Sequence, residues 1–210
     1  GVDKAVSEFR AAGFQAEGVP FNVTDEPAVV AAFEHFDRAG IAIDILVNNA
    51  GIQRRKPLEE FTTDEWRLVI ETNLTSAFVI GREAAKRMIP RKRGKIINIG
   101  SLGSELARPT IAPYTAAKGG IKNLTRSMAV EWAQHGIQAN AIGPGYMLTD
   151  MNEALVNNTD FNNWLMGRIP SKRWGRPDEL VGAAIFLASD ASTYVNGQII
   201  YVDGGMIAAM

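Results

Sequence analysis

The chain has 210 residues, 46% hydrophobic and 21% charged, which is an ordinary globular composition with enough length for one domain and a sizeable core. Its 22 basic and 23 acidic residues leave a formal charge of -1, giving no broad field for nucleic acid. The lack of cysteine excludes disulfides, cysteine-ligated zinc, iron–sulfur clusters and thiol catalysis; His35 and His135 are the only histidines, too few for a three-histidine metal site. Neither a secretory leader pattern nor an eighteen-residue apolar run occurs, so the expectation is a cytoplasmic protein with no membrane or nucleic-acid partner.

Val2 to Ala12 reads as a helix stopped at Gly13, where a positive φ is cheap. EGVPF, residues 17–21, is a short strand candidate interrupted by a glycine and a proline. Thr24 is predicted to cap the next helix, which tolerates Pro27 in its first turn and runs to about Arg38. IDILV, residues 43–47, is a second strand with a sharp exit through Asn48, Asn49, Ala50 and Gly51. Thr63 is predicted to cap a long helix through Asn73 to Met88, which Pro90 and Gly94 end before the strand KIINI, residues 95–99. A polar loop leads to a helix over Tyr114 to His135, and IQANAI, residues 137–142, is a fourth strand candidate.

The Gly143, Pro144 and Gly145 turn then opens a less regular stretch to residue 176, with Thr149 or Asp150 as a cap and Phe161, Trp164 and Leu165 on short helical pieces. Pro177 begins a helix through Leu187, and QIIYV, residues 198–202, is the last strand. Strands alternating with helices predict right-handed crossovers and a doubly wound, mostly parallel sheet: one Rossmann-like α/β domain over 1–210, with a lid over 146–176. Such a fold normally opens with a strand, a glycine-rich turn, a helix and a second strand. Those elements have no counterpart here, so the domain is expected to be N-terminally incomplete.

The chemistry concentrates after the strands. Tyr114 and Lys118 stand four apart and share one helix face. A tyrosine with an ordinary pKa near 10 is a poor proton donor–acceptor at neutral pH, and a neighbouring ammonium moves it towards the working range. Ser101 follows KIINI and Gly100 at the C-terminal edge, where its hydroxyl can polarise a carbonyl. Asn73 sits mid-helix, an unfavourable place that invites a hydrogen-bonding explanation: an ordered water or a backbone contact. The small residues of NNAG and GPG permit close ligand approach.

Together these segments resemble the short-chain dehydrogenase/reductase family: NVTD (22–25), NNAG (48–51), Asn73, Ser101, YTAAK (114–118), PG (144–145) and YVDGG (201–205). The resemblance covers essentially the whole chain. It implies Tyr114 as general acid–base, Lys118 lowering its pKa and holding the nicotinamide ribose, Ser101 on the carbonyl and Asn73 supporting a water relay. It implies cofactor contacts at Asn22, Val23, Asn49, Ala50, Gly51, Pro144, Gly145, Met147 and Thr149, besides Tyr114 and Lys118, and it requires no metal.

Within the family, GIQRR (51–55), INIGSLGSELAR (97–108), KRWGRPDEL (172–180) and NGQIIYVDGG (196–205) resemble the gluconate 5-dehydrogenase branch. That branch implies NADP(H), with NAD(H) as the other choice, and interconversion of 5-keto-D-gluconate and D-gluconate. Arg54, Arg55 and Arg108, in loops beyond strand ends, are candidates for clamping the substrate carboxylate. Other readings are 2-deoxygluconate 3-dehydrogenase, 3-oxoacyl-carrier-protein reductase with Met147, Met151, Leu155, Trp164 and Met166 along an acyl groove, and an inactive binding or assembly protein. The apolar GGMIAAM tail suggests a subunit interface, and the family implies a homo-tetramer.

Overall fold

The computed structural model describes residues 1–209, with four parallel strands at its centre in the order β1 (Ile45–Asn48), β2 (Gly94–Ile99), β3 (Ile137–Pro144), β4 (Ile199–Val202). Lys95 pairs with Ile45 and Gln138, and Ile142 with Ile200, so every strand points its C-terminal end to the same edge. Alternation along β2 and β3 sends side chains to two cores. Ile96 and Ala139 pack against Val29 and Phe33 of α2 (Glu26–Arg38), Met88 of α4 (Ser76–Arg91) and Met128 of α5 (Ala112–Trp132). Ile97 and Ile142 pack against Leu187 of α8 (Val181–Ala188) on the other face. Coverage on both faces at β2 and β3 explains why those two strands read as near-continuous apolar runs, while Ile45 and Val47 of the edge strand β1 stay about half exposed. The sheet with its flanking helices gives the expected Rossmann-like arrangement.

The ends of the elements hold the departures from expectation. Residues 17–21 form no strand: no neighbouring strand offers them a ladder, and Pro20 lacks an N–H. The cap of α2 is Asp25, whose carboxylate accepts the Ala28 N–H at 3.1 Å, while Thr24 bonds back to Asn22. Helix α3 (Thr63–Ile70) is capped by Thr62 in a reciprocal box with Glu65, one residue earlier than predicted. The expected single helix through Asn73 is α3 and α4 joined by a π-helical turn, Glu71–Thr75. Helix α1 (Val2–Ala11) ends as expected, with Gly13 at φ 86°.

After β3, short helices α6 (Glu153–Val156) and α7 (Thr159–Arg168) stand over the edge. Neither Thr149 nor Asp150 caps by its side chain; α6 starts from Asn152. Leu165 and Ile169 pack with Leu102 and Met206 in a third core, so the tail residue Met206 is buried in its own subunit and does not form the exposed patch expected of GGMIAAM. Ala208 and Ala209 are exposed, and Met210 lies outside the described residues. Among the described residues no helix is long and apolar enough to cross a membrane.

Candidate active site

Parallel register brings the ends of β1, β2 and β3 together, and with them Asn48, Ser101 and Pro144. Ser101 is fixed by its own loop. Its Oγ accepts the Gly103 N–H at 3.0 Å, and its N–H donates to Ser104 Oγ. Ser104 Oγ in turn donates to the Lys118 carbonyl at 2.8 Å, tying the loop to α5. Pro113 opens the first turn of α5 where its missing N–H costs nothing, and Tyr114 and Lys118 follow one turn apart.

Tyr114 and Lys118 meet, but not as a simple charge pair. The Lys118 Nζ lies 5.6 Å from the Tyr114 ring centroid and donates to the Ile99 carbonyl at 2.6 Å. Lys118 is 5% exposed, and desolvation of its ammonium pulls its pKa from 10.5 to about 8. Burial also pushes the Tyr114 phenol above its ordinary value, against hydrogen bonding with Ser101 and the charge of Arg55. Lys118, expected to lower the tyrosine, is not among the groups that move it in the protein alone, where burial dominates.

Asn73, 1% exposed, makes a backbone contact with both polar groups of Ile52. Its Nδ2 donates to the Ile52 carbonyl at 2.8 Å and its Oδ1 accepts the Ile52 N–H at 2.7 Å. The π-turn aims this side chain at the loop after β1, and Gly51 keeps the approach open: a Cβ there would lie 3.3 Å from Asn73 Oδ1. Asn48 is anchored from beneath by donating to Asn98 Oδ1 at 2.9 Å, while Asn98 donates to Thr125 Oγ1 at 2.9 Å. Asn98 sits fully buried in the middle of β2, where an amide is tolerated only when its hydrogen bonds are met.

Two hollows flank Tyr114 and Lys118. One, of about 280 Å³, is lined by Ser101, Tyr114, Arg108, Pro144, Gly145, Tyr146 and residues of α7 including Trp164 and Arg168. The other, of about 250 Å³, is lined by Val23, Asn48, Asn49, Ala50, Asn73 and Lys118. Asn22 is exposed and engaged with Thr24, Gly51 faces Asn73, Met147 is buried and bridges to Gly175, and Thr149 is exposed; these four border neither hollow. Gly143 and Gly145 are small chiefly because β4 and its exit approach them: a Cβ would fall 2.4 Å from the Tyr201 ring and 2.6 Å from Asp203 Cα.

Of the three arginines singled out, Arg108 lines the first hollow, its guanidinium 5.7 Å from the Phe161 ring centroid. Arg55 stands in its field and donates to Gln53 Oε1 at 2.8 Å and the Met151 carbonyl at 3.2 Å; Arg54 and Arg55 are both exposed, and neither lines a hollow. Sequence reasoning missed Tyr146 and Arg168. The available signal was helical spacing: Phe161, Trp164, Leu165 and Arg168 recur at i, i+3, i+4 and i+7, one stripe of α7.

The family model described as enoyl-(acyl carrier protein) reductase matches residues 2–207. The chain belongs to the short-chain dehydrogenase/reductase family, whose members are NAD(P)-dependent oxidoreductases. It is 52% identical to gluconate 5-dehydrogenase of Gluconobacter oxydans over 100% of this chain and 82% of that protein. A gluconate 5-dehydrogenase from Burkholderia cenocepacia, solved with NADP and tartrate, is 51% identical at a TM-score of 0.96, covering 99% of this chain and 81% of that one. A crystal structure from Agrobacterium tumefaciens is 66% identical at a TM-score of 0.98, over 99% of this chain and 82% of that one.

The residues on the NNAG side fit the family's dinucleotide. Ala50 and Gly51 present little side chain, and Lys118 spends one of its three N–H donors on Ile99, leaving two without partners among the described residues. A buried ammonium with unspent donors is costly by itself and calls for hydroxyl or anionic oxygen in the adjoining hollow.

Proposed function

We propose that the protein interconverts 5-keto-D-gluconate and D-gluconate, with NADP(H) preferred over NAD(H). The observation that carries this is the pairing of Ser101 and Tyr114 with Arg108 around one small pocket, since a hydroxylated acid needs both a proton site and a cation. The likeness to the G. oxydans enzyme over the whole chain and the NADP bound by the B. cenocepacia relative support the same reading. Bound NADP(H) supplies or accepts the hydride. Asn49, Ala50 and Lys118, which line the second hollow, hold it together with Gly51 of the same loop, with Val23 flanking and Pro144 and Gly145 in the first hollow; Asn22, Met147 and Thr149 stand further out.

In reduction, Tyr114 gives its phenolic proton to the carbonyl oxygen while Ser101 orients that oxygen by hydrogen bonding. Lys118 keeps positive charge beside the ring, and any partner that holds that charge cheapens the phenolate left behind. Asn73 fixes the loop through Ile52 and opens the π-turn backbone to a water that returns the proton. Arg108 and Arg55 take the substrate carboxylate, with Arg54 the outlying member of the group. The same chemistry at C3 would serve a 2-deoxygluconate. The apolar lining from Leu106, Leu155 and Met206 favours 3-oxoacyl reduction as the second reading.

The protein is further proposed to be a cytoplasmic homo-tetramer. Its support is an apolar face on α8, where Val181, Ile185 and Phe186 are exposed, and the open edge of β4 beside it. The test of function is absorbance at 340 nm with 5-ketogluconate and NADPH, repeated with NADH. Consumption that falls about 10²–10⁴-fold in Tyr114→Phe, at unchanged NADPH affinity, supports the assignment. Lack of turnover by folded, full-length protein refutes it and leaves the acyl or non-catalytic readings.

A further inference from the structure

Helix α7 ends its pocket-side stripe with a charge, the exposed Arg168. Phe161, Trp164 and Leu165 turn to the lid core and the pocket, and the next position of the stripe is Arg168, which lines the same pocket as Arg108. An arginine there forgoes the apolar contact that the stripe would otherwise supply. Among the described residues Arg168 makes no ion pair or side-chain hydrogen bond, whereas nearby Arg173 is held by Glu179 in two bonds of 2.8 and 2.6 Å. The same is true of Arg108, whose only close partner is the Phe161 ring.

The pocket wall contains no aspartate or glutamate. Arg108 reaches the pocket from the loop between β2 and α5 and stacks on Phe161, while Arg168 reaches it from the C-terminal end of α7, so the two cations come from separate segments of the wall. A single carboxylate satisfies one of them.

We propose that Arg168 forms a second anion subsite, so that the pocket binds hydroxylated chains carrying a carboxylate at both ends more tightly than the corresponding monoacids. This rests on the reading of the pocket as the substrate site, and extends it to sugar diacids as ligands. The guanidinium fork suits a planar carboxylate, and placing it on the lid makes the second charge a tie between lid and sheet edge.

The test compares glucarate with gluconate, which differ only in a carboxylate replacing the terminal hydroxymethyl group. Calorimetric titration of the NADPH-loaded, full-length protein is expected to give glucarate about tenfold tighter binding, equivalent to about 1.4 kcal/mol. In Arg168→Gln the advantage disappears while gluconate affinity stays within about twofold, and Arg108→Gln weakens both acids. Equal affinities in the wild type, or a loss in Arg168→Gln that falls equally on both acids, overturns the subsite. Because the readout is binding, the subsite can fail while 5-ketogluconate is still turned over, and it can hold where that turnover is absent.

Discussion

Replacing Lys118 with methionine isolates the cost of keeping an ammonium in a dry site. Its folded pKa is depressed from 10.5 to about 8 by desolvation, so between these values the unfolded chain binds more proton than the folded one. Stability from this group therefore rises with pH: the penalty is present in full below about pH 8 and is relieved as pH climbs towards 10.5. The drop corresponds to about 3 kcal/mol at about 1.4 kcal/mol per pKa unit. Most of it, about 2–3 kcal/mol, is recovered between pH 7 and pH 10. The methionine variant lacks the titration but keeps the rest of the protein's charge, so subtracting the two unfolding free energies cancels other groups. Urea unfolding of both proteins at pH 7, 8, 9 and 10 should show the wild type gaining that amount on the variant. Saturating NADPH should flatten the trend by giving the ammonium partners. A wild-type minus variant difference that stays level across the range would refute the claim that Lys118 is held charged against a desolvation cost.

Three further substitutions probe the scaffold. Asn73→Ala leaves the Ile52 N–H and C=O without their side-chain partners, and should cost about 2–3 kcal/mol in urea unfolding together with a fall in kcat. Leu165→Ala opens a cavity under the lid and should cost about 2–5 kcal/mol, with KM rising more than kcat falls in steady-state assays. Gly145→Ala forces a Cβ to within 2.6 Å of Asp203 Cα and should destabilise by about 1–3 kcal/mol with a higher KM. Its control is Gly119→Ala within α5, which meets nothing within 4 Å and should raise the melting temperature through about 0.5–1 kcal/mol of helix propensity.

Most of the fold was legible because its strands are apolar runs and several of its helices end at glycine; α4 is an exception, running through Pro90 to Arg91 and closed by Lys92 at φ 51° where Pro90 and Gly94 were expected to end it. KIINI and IQANAI became β2 and β3 almost residue for residue, and Gly13 and Gly136 end helical segments with positive φ. EGVPF failed because a strand is a relation between segments: its residues have strand character, but no ladder reaches them. The caps slipped by one residue at Asp25 and Thr62 because adjacent threonines and aspartates all qualify by type, and only backbone direction chooses among them. Ser101, Tyr114 and Lys118 were legible through spacing. The order of the arginines was not, since loop position says nothing about which guanidinium turns inward.

Helix α7 explains why that information was hidden. Its amphipathic stripe faces a core at Leu165 and an aqueous pocket at Trp164 and Arg168, so hydrophobic periodicity ends before the functional face does. On the proposed assignment, proton transfer and substrate selection consequently rest on different supports. Ser101, Tyr114 and Lys118 belong to the sheet edge and α5, cross-tied by Ser104 and Ile99. Tyr146, Trp164 and Arg168 belong to the exit of β3 and to the lid, held by aromatic packing of Tyr146, Phe161 and Trp174. Lid substitutions can therefore redirect which acid is held while the proton-transfer residues keep their environment. A large loss of kcat is expected only when a lid change propagates through Leu102 to the Ser101 loop.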